Sequence, residues 1–340
     1  MNEELNVGII GCGWAGEQHA RAYSSLGNIK ILALADVSES KARDLATRRG
    51  ADAWYRDYRK ILEDPRIDAV SICLPHCLHS AVSVEAAEAD KHILCEKPMA
   101  NNLDEADAMI RAANKAGVTL MIAETVRFRS INLKLKEMVQ QNYIGEVFLG
   151  RIFRDHEMHD YLRRRPWFLD KEKAGGGIWM SGGIHDVDAL RMVVGEVEAV
   201  SLFQAKSVFP EMEGDDTVAA LLKFEDDALG VVTESFSTKT FRSISPNGCP
   251  SILNGSTGTI TVLPNVIEIY GERSGNSDKC TRVKVEETDT FVEEAKHFIR
   301  CIRRGEEPIT SGEEERRTLA VVCAGYESLD KGSIPVEVRY

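Results

Sequence analysis

The run Val7-Gly8-Ile9-Ile10-Gly11-Cys12-Gly13-Trp14-Ala15-Gly16 constrains the fold of this chain more than any other stretch. An apolar strand leads directly into Gly-x-Gly-x-x-Gly. The pattern predicts a helix over 17–26 and a second apolar strand over 29–35 that ends in Asp36. Glycines, helix and acidic residue in this order form the βαβ unit that binds a dinucleotide. Gly11 allows the tight turn, Gly13 removes a side chain that would block the pyrophosphate, and Gly16 lets helix and strand pack closely. Cys12, Trp14 and Ala15 complete the phosphate loop, whose N–H groups and helix dipole favour an anion. Asp36 accepts bonds from ribose hydroxyls and repels a 2′-phosphate. No arginine follows it in Val37-Ser38-Glu39, and Lys41 is the nearest cation. NAD is therefore expected over NADP.

The alternation continues to about residue 125. Helices are expected near 38–49, 58–63, 80–89 and 102–116, with strands near 67–74, 92–95 and 118–123. Repeated βα units with apolar strands mean a parallel, doubly wound sheet whose cofactor chemistry gathers at the strand C-termini. Those ends hold Leu74-Pro75-His76, with His79 just beyond, then Glu96-Lys97-Pro98 and Glu124. After residue 125 the pattern changes. Helices are expected near 133–141 and 180–194. Strands follow near 146–154, 218–224, 229–237, 259–263, 266–270 and 281–285, and helices over 291–304 and 313–330 close the chain. This reads as α/β throughout: an N-terminal Rossmann domain over 1–125 and a C-terminal α/β domain over 126–340 built on a large, mostly antiparallel open sheet. An open sheet with exposed apolar positions, here Val218, Leu222 and Val232, points to a homodimer or homotetramer.

With 340 residues the chain is long enough for two domains. Its net charge of −12 argues against nucleic acid and anionic membrane as partners. Arg163-Arg164-Arg165 reads as a solvated face or a local anion contact. Eight cysteines occur without a CxxC pair or a zinc spacing. They suit reduced thiols in a cytoplasmic protein. The N-terminal Met-Asn-Glu-Glu-Leu lacks a basic leader region, and no apolar run reaches the roughly 18 residues of a membrane span. His156, His159 and Asp160 resemble a metal cluster, but their segment reads as a strand leading into a solvated or substrate-facing loop.

Glu96-Lys97-Pro98 after a strand, Gly175-Gly176-Gly177-Ile178-Trp179-Met180, and His185-Asp186-Val187-Asp188 follow the glycine fingerprint in order. Together they resemble the glucose–fructose oxidoreductase / inositol dehydrogenase / rhizopine-catabolism (Gfo/Idh/MocA) family over essentially the whole chain. The resemblance implies NAD(P)-dependent oxidation or reduction of a sugar or cyclitol. It implies Lys97 as catalytic lysine, His185 as the family histidine, Asp188 as the Asp of His-x-x-Asp, and no metal. Two positions depart from the family pattern: Ser181 stands where an Asp usually precedes the histidine, and Trp167-Phe168 where many members have Trp-Arg.

The residues themselves suit that chemistry. A cation at Lys97 stabilises alkoxide character on a reacting hydroxyl. An imidazole at His185 works as acid or base near neutral pH. Spacings of four and three place Ser181, His185 and Asp188 on one face of a regular helix. Asp188 then fixes the His185 tautomer, or the two form a structural pair, while Ser181 bonds substrate or a water. Glu96 orients Lys97 or contacts the cofactor. His79 supports its loop. Arg127 binds substrate hydroxyls or pairs with a carboxylate. Trp167 stacks on a sugar or the nicotinamide, or packs in the core. Ser181 also motivates the alternative of a non-catalytic, dinucleotide-sensing regulatory protein, since the family includes a repressor.

Overall fold

The computed structural model describes residues 4–239, 249–271 and 280–340; the first three residues of the expected leaderless N-terminus lie outside them. The chain forms two compact units, Met1–Thr125 with Asp289–Arg316, and Val126–Thr288 with Arg317–Tyr340.

The first unit carries six parallel strands, β1 (Leu5–Ile10), β2 (Ile29–Ala35), β3 (Ala53–Tyr55), β4 (Ala69–Ile72), β5 (His92–Glu96) and β6 (Leu120–Ala123), in the order β3-β2-β1-β4-β5-β6. This is the doubly wound Rossmann order, with its switch point between β1 and β4. The connecting helices are α1 (Trp14–Ser24), α2 (Glu39–Arg49), α3 (Arg59–Leu62), α4 (His79–Glu88) and α5 (Leu103–Ala116). Local chemistry explains their ends. Asn102 caps α5 by accepting from the Glu105 amide, and Gly117 closes it at φ +69°. Ser38 precedes α2 as expected, but its side chain makes no cap bond.

In the second unit, strands β7 (Val147–Asp155), β8 (Val197–Gln204), β9 (Thr217–Phe224), β10 (Leu229–Ser235), β11 (Ile252–Gly255), β12 (Gly258–Leu263), β13 (Val266–Gly271), β14 (Cys280–Lys284) and β15 (Val336–Glu337) form one sheet among the described residues. Its order is β14-β13-β12-β11-β7-β10-β9-β8-β15, antiparallel except for the parallel pair β7–β10. Helices α6 (Ser130–Gln140), α7 (His159–Arg163), α8 (Lys171–Ala174) and α9 (Ile184–Val193) belong to this unit. Ile131, Leu135 and Met138 of α6 share a buried cluster with Leu253, Ile260 and Ile267 of the sheet.

Four expectations change. First, the break after residue 125 coincides with the unit boundary, but 289–316 joins the first unit. Helix α10 (Thr290–Arg304) packs on α1: Phe291 meets the Trp14 ring edge-on at 5.7 Å, and Arg21 pairs with Asp289. The following helix, α11 (Gly312–Asp330), sends Arg316 to Asp107 of α5. Second, Val218, Leu222 and Val232 are buried. The opposite face of the same strands is the exposed one. Third, the expected single helix over 180–194 begins with a π-helical turn, Trp179–Gly183, ahead of α9. Fourth, β3, β8 and β15 are strands that the sequence pattern does not predict.

Candidate active site

The loop between β1 and α1 has the geometry of a phosphate cradle. At Gly11, with φ +98°, an added Cβ would lie 2.1 Å from the Cys73 carbonyl oxygen, so only glycine fits. A Cβ at Gly16 would lie 1.9 Å from the Gly11 carbonyl oxygen, which ties the first turn of α1 onto the loop. A Cβ at Gly13 would meet no protein atom within 4 Å. That residue is exposed, precedes α1 and faces open space, as a pyrophosphate cradle requires. Trp14 is exposed beside it, Ala15 half-buried, and Cys12 buried.

Asp36 sits at the C-terminal end of β2. Its Oδ2 accepts from the Cys12 amide at 2.8 Å and its Oδ1 from the Ser38 amide at 2.8 Å. Two backbone donors thus aim the carboxylate, and each oxygen keeps a lone pair for a ribose hydroxyl. Burial, followed by the nearby Asp36 charge, pushes the Cys12 thiol up to about 12, so it stays protonated. The residues present fit NAD.

The other strand ends in this unit are knit together. Leu74 and Pro75 form a half-buried loop, and His76 is buried 5.7 Å from the His79 ring. His79 is fully buried, with Nδ1 2.8 Å from the Pro98 carbonyl and Nε2 2.8 Å from the Leu74 carbonyl. Burial lowers its pKa, although both carbonyls pull the other way. His79 therefore fastens the loop after β4 to the Glu-Lys-Pro turn, the supporting role. Lys97 is half-buried at the end of β5, and its bond to Pro98 is cis. Glu124 is fully buried after β6.

In the second unit the glycine run is held by Asp215. This carboxylate accepts from the Gly177 amide at 3.0 Å, the Trp179 amide at 2.7 Å and the Tyr326 hydroxyl at 2.8 Å. A Cβ at Gly177 would lie 2.0 Å from the Asp215 carbonyl oxygen. Ser181, buried in the π turn, donates its hydroxyl to the Gly177 carbonyl at 3.0 Å. Over residues 176–193 His185 alone keeps solvent exposure.

The structure separates Asp188 from the role of tautomer partner. Asp188 is fully buried and accepts two bonds from Arg127, at 2.6 and 2.5 Å, and one from the Thr318 hydroxyl at 3.0 Å. Of the alternatives left open for Arg127, pairing with a carboxylate is the one observed. The two residues brace α9 against the segment before α6. Trp167 stacks on Phe168 with centroids 4.0 Å apart in a half-buried turn. His159 stacks on Phe209 at 4.2 Å and bonds the Ser237 hydroxyl at 2.9 Å. Among the described residues no three His, Cys, Asp or Glu side chains are arranged to hold a metal.

Sequence reasoning missed a second buried ion cluster, which includes Asp186, the residue after His185. Arg154 of β7 is bidentate to Asp186, with Nε 2.9 Å from Oδ2, and lies 3.3 Å from Glu234 Oε1 on the neighbouring β10. Arg154 and Glu234 are register partners on these parallel strands. Burial, then the Asp186 charge, drives the Glu234 carboxyl well above its usual range. For Asp186 burial is the largest effect and works upward, but the Arg154 charge, the hydrogen bonds from Glu234 and Arg154 and the His185 field together outweigh it and hold the carboxyl below its usual range. One cation and two buried carboxyls thus form a neutral set, with the proton on Glu234.

Residues 5–124 match the family described as "Oxidoreductase family, NAD-binding Rossmann fold", and residues 132–274 match the "GFO/IDH/MocA C-terminal domain". Among curated proteins, the chain is 32% identical to a myo-inositol 2-dehydrogenase of Thermotoga maritima, covering 98% of this chain and 99% of the relative. It is 29% identical to a D-apiose dehydrogenase of Paraburkholderia graminis, over 95% of this chain and 87% of that protein. Among solved structures, an oxidoreductase from Agrobacterium radiobacter in complex with NAD+, L-tartaric acid and magnesium superposes with a TM-score of 0.88. Its identity is 26%, and the match covers 98% of both chains.

Proposed function

The chain belongs to the Gfo/Idh/MocA oxidoreductase family with an NAD-binding Rossmann fold, and from that premise we propose that it transfers a hydride between NAD and a secondary alcohol or ketone carbon of a sugar, sugar derivative or cyclitol. The observation that carries this reading is His185, the one half-buried residue in the otherwise buried segment 176–193. A purely structural histidine in that segment would be buried with its neighbours. The relatives reported above are named as dehydrogenases, which favours turnover over dinucleotide sensing.

When bound, the nicotinamide supplies the hydride acceptor or donor. Lys97 donates a hydrogen bond to the reacting oxygen and stabilises its negative charge as the alcohol becomes a carbonyl. His185 takes the hydroxyl proton in oxidation and returns it in reduction, a role typically worth about 10²–10⁴-fold. Ser181 supplies no carboxylate where the family usually has one. Asp36 selects NAD over NADP. The substrate class is polyhydroxylated, and cyclitols come first for assay because a myo-inositol dehydrogenase is among the similar relatives.

NADH formation across inositols, pentoses, hexoses and their keto forms, assayed in both directions, tests the activity. Turnover of at least one polyol with NAD supports it, and its absence across the panel in both directions overturns it. Lys97→Met is expected to abolish turnover and leave NAD binding largely intact; full activity of that variant sinks the mechanism.

The finer setting belongs to the same reading. A reducing, cytoplasmic location suits eight cysteines of which none forms a disulfide. No helix among the described residues is long and apolar enough to cross a membrane. Assembly as a homodimer or homotetramer through the exposed sheet face is part of the proposal, and no nucleic-acid partner is assigned to a chain of net charge −12.

A further inference from the structure

Buried polar side chains of the first unit lead in single file to the residue before Lys97. The Tyr23 hydroxyl lies 2.9 Å from Ser71 Oγ. Ser71 Oγ lies 3.1 Å from His19 Nδ1, and His19 Nε2 lies 3.1 Å from Glu96 Oε1. Tyr23, Ser71 and His19 are all buried. Tyr23 and His19 are one turn apart on α1, Ser71 is on β4, and Glu96 ends β5. The chain therefore crosses from the dinucleotide helix through the sheet to the Glu-Lys-Pro turn.

Donor counting gives the chain a direction. A carboxylate only accepts, so His19 Nε2 carries a hydrogen and donates it to Glu96. Nδ1 then accepts from the Ser71 hydroxyl, whose oxygen accepts from Tyr23. In this arrangement every hydrogen along the chain has an acceptor. The connectivity has the residue types of a hydrolase triad, but Ser71 is wholly buried, so no substrate reaches it and the chain does no nucleophilic work.

We propose that His19 is a positioning residue that holds Glu96 in place and ionised beside Lys97, and so fixes the place and charge of Lys97. The proposal rests on the role of Lys97 given above. Its physical basis is the cost of a buried carboxylate without a donor. Burial works to raise the Glu96 carboxyl. The His19 hydrogen bond, backed by the fields of His19, Lys97 and His79, outweighs it and keeps Glu96 below its usual range. The other titratable groups whose fields couple to Glu96 are Cys73 of the strand-end loop, Cys95 of β5 and Glu294 of α10. Cys73 and Cys95 are pushed up by burial and stay thiols, and burial likewise drives Glu294 well above its usual range and leaves it neutral. None of these groups replaces His19 as a donor that keeps Glu96 charged. Without His19, Glu96 turns away or takes a proton. Either outcome removes negative charge beside Lys97.

The test titrates Lys97 directly and needs no substrate. Lysines of the full-length protein are ¹³C-methylated, the Lys97 signal is assigned by its loss in Lys97→Met, and its pH midpoint is followed by NMR. His19→Leu and Glu96→Gln are expected to lower that midpoint by about one pH unit. His19→Gln, whose carboxamide N–H donates at similar reach, should stay close to wild type. If His19→Leu does not fold, His19→Asn keeps a polar group too short to reach Glu96 and takes its place. In turnover by the unmethylated proteins, His19→Leu should lose about tenfold or more in kcat with little change in KM for NAD, with recovery in His19→Gln. A Lys97 midpoint unchanged in His19→Leu or His19→Asn overturns the proposal. Absence of turnover by the wild type overturns the assigned activity instead and leaves the titration readable.

Discussion

Gly13 and Gly16 differ by one helical turn, and the same substitution meets opposite surroundings at each. At Gly16 a methyl group would sit 1.9 Å from the Gly11 carbonyl oxygen, a backbone atom that cannot move without opening the loop. Gly16→Ala should lower Tm by several degrees and abolish NAD binding together. At Gly13 no protein atom lies within 4 Å, so Gly13→Ala should fold with wild-type Tm and lose only affinity, by about tenfold or more, because its methyl group occupies phosphate space. Thermal unfolding with and without NAD separates the two. Equal Tm losses in both variants would refute the cradle. These glycines are legible in sequence because each has a backbone job. His19 is not. Its partners Ser71 and Glu96 come from β4 and β5, 52 and 77 positions away, and nothing local announces them. Asp188 shows the converse limit. Helical spacing names its neighbours on α9, but its actual partner, Arg127, is 61 positions away.

Helix α9 shows why periodic spacing misleads near a site. Ser181, His185 and Asp188 share a face only if the helix is regular from 181 onward. The π turn over Trp179–Gly183 inserts an i→i+5 pattern there, a feature frequent at functional sites. Gly183 admits it, since a Cβ there would lie 2.5 Å from the Trp179 ring. No sequence period reports such a turn. The cluster beneath α9 is equally silent, because it needs the parallel pairing of β7 and β10 to put Arg154 beside Glu234. It has a measurable pH signature. Glu234 holds its proton in the folded chain to a higher pH than in the unfolded chain. From the ordinary value of about 4.3 upward, the folded state binds more protons than the unfolded one. This group's contribution to stability therefore falls as pH rises through that window. Asp186, held low, contributes in the opposite sense: its stabilisation is present above the ordinary carboxylate value and is lost as pH falls toward its folded value. Glu234→Gln mimics the protonated carboxyl and cannot ionise. Its Tm should match wild type near pH 5 and exceed it near pH 8. A Tm difference that does not grow with pH counts against a protonated Glu234. Arg154→Met leaves Asp186 buried without its cation and should destabilise the second unit by about 3–5 kcal/mol, read from urea midpoints.

On the scale of the whole protein, the second-unit sheet sets the assembly question. Strand alternation is visible in sequence, but its phase is not. Val218-Ala219-Ala220-Leu221-Leu222 is apolar on both parities, and a slip of one residue exchanges the faces. The structure fixes the phase. Val218, Leu222 and Val232 point into the core, while Leu221 is 55% exposed, Leu229 52% and Phe203 52%. Cross-strand register gathers the exposed set. Leu221 pairs with Val231 on one side and Ser201 on the other, Leu229 lies beside Leu149, and Phe203 lies beside Ala219. Lys223 and Arg151 stand among them, yet exposed leucine and phenylalanine side chains on three adjacent strands, β10, β9 and β8, are a costly surface for a single chain to leave in water. A second copy of the same face is its natural cover, since a two-fold axis brings identical faces together. The wild type is therefore expected to be a dimer or tetramer by light scattering at micromolar concentration. Leu221→Lys combined with Leu229→Lys should yield a monomer with unchanged circular dichroism, because both side chains stand on the solvent side of strands whose inner residues are untouched. A wild-type monomer under those conditions refutes assembly. A double variant that stays oligomeric moves the interface elsewhere on the molecule.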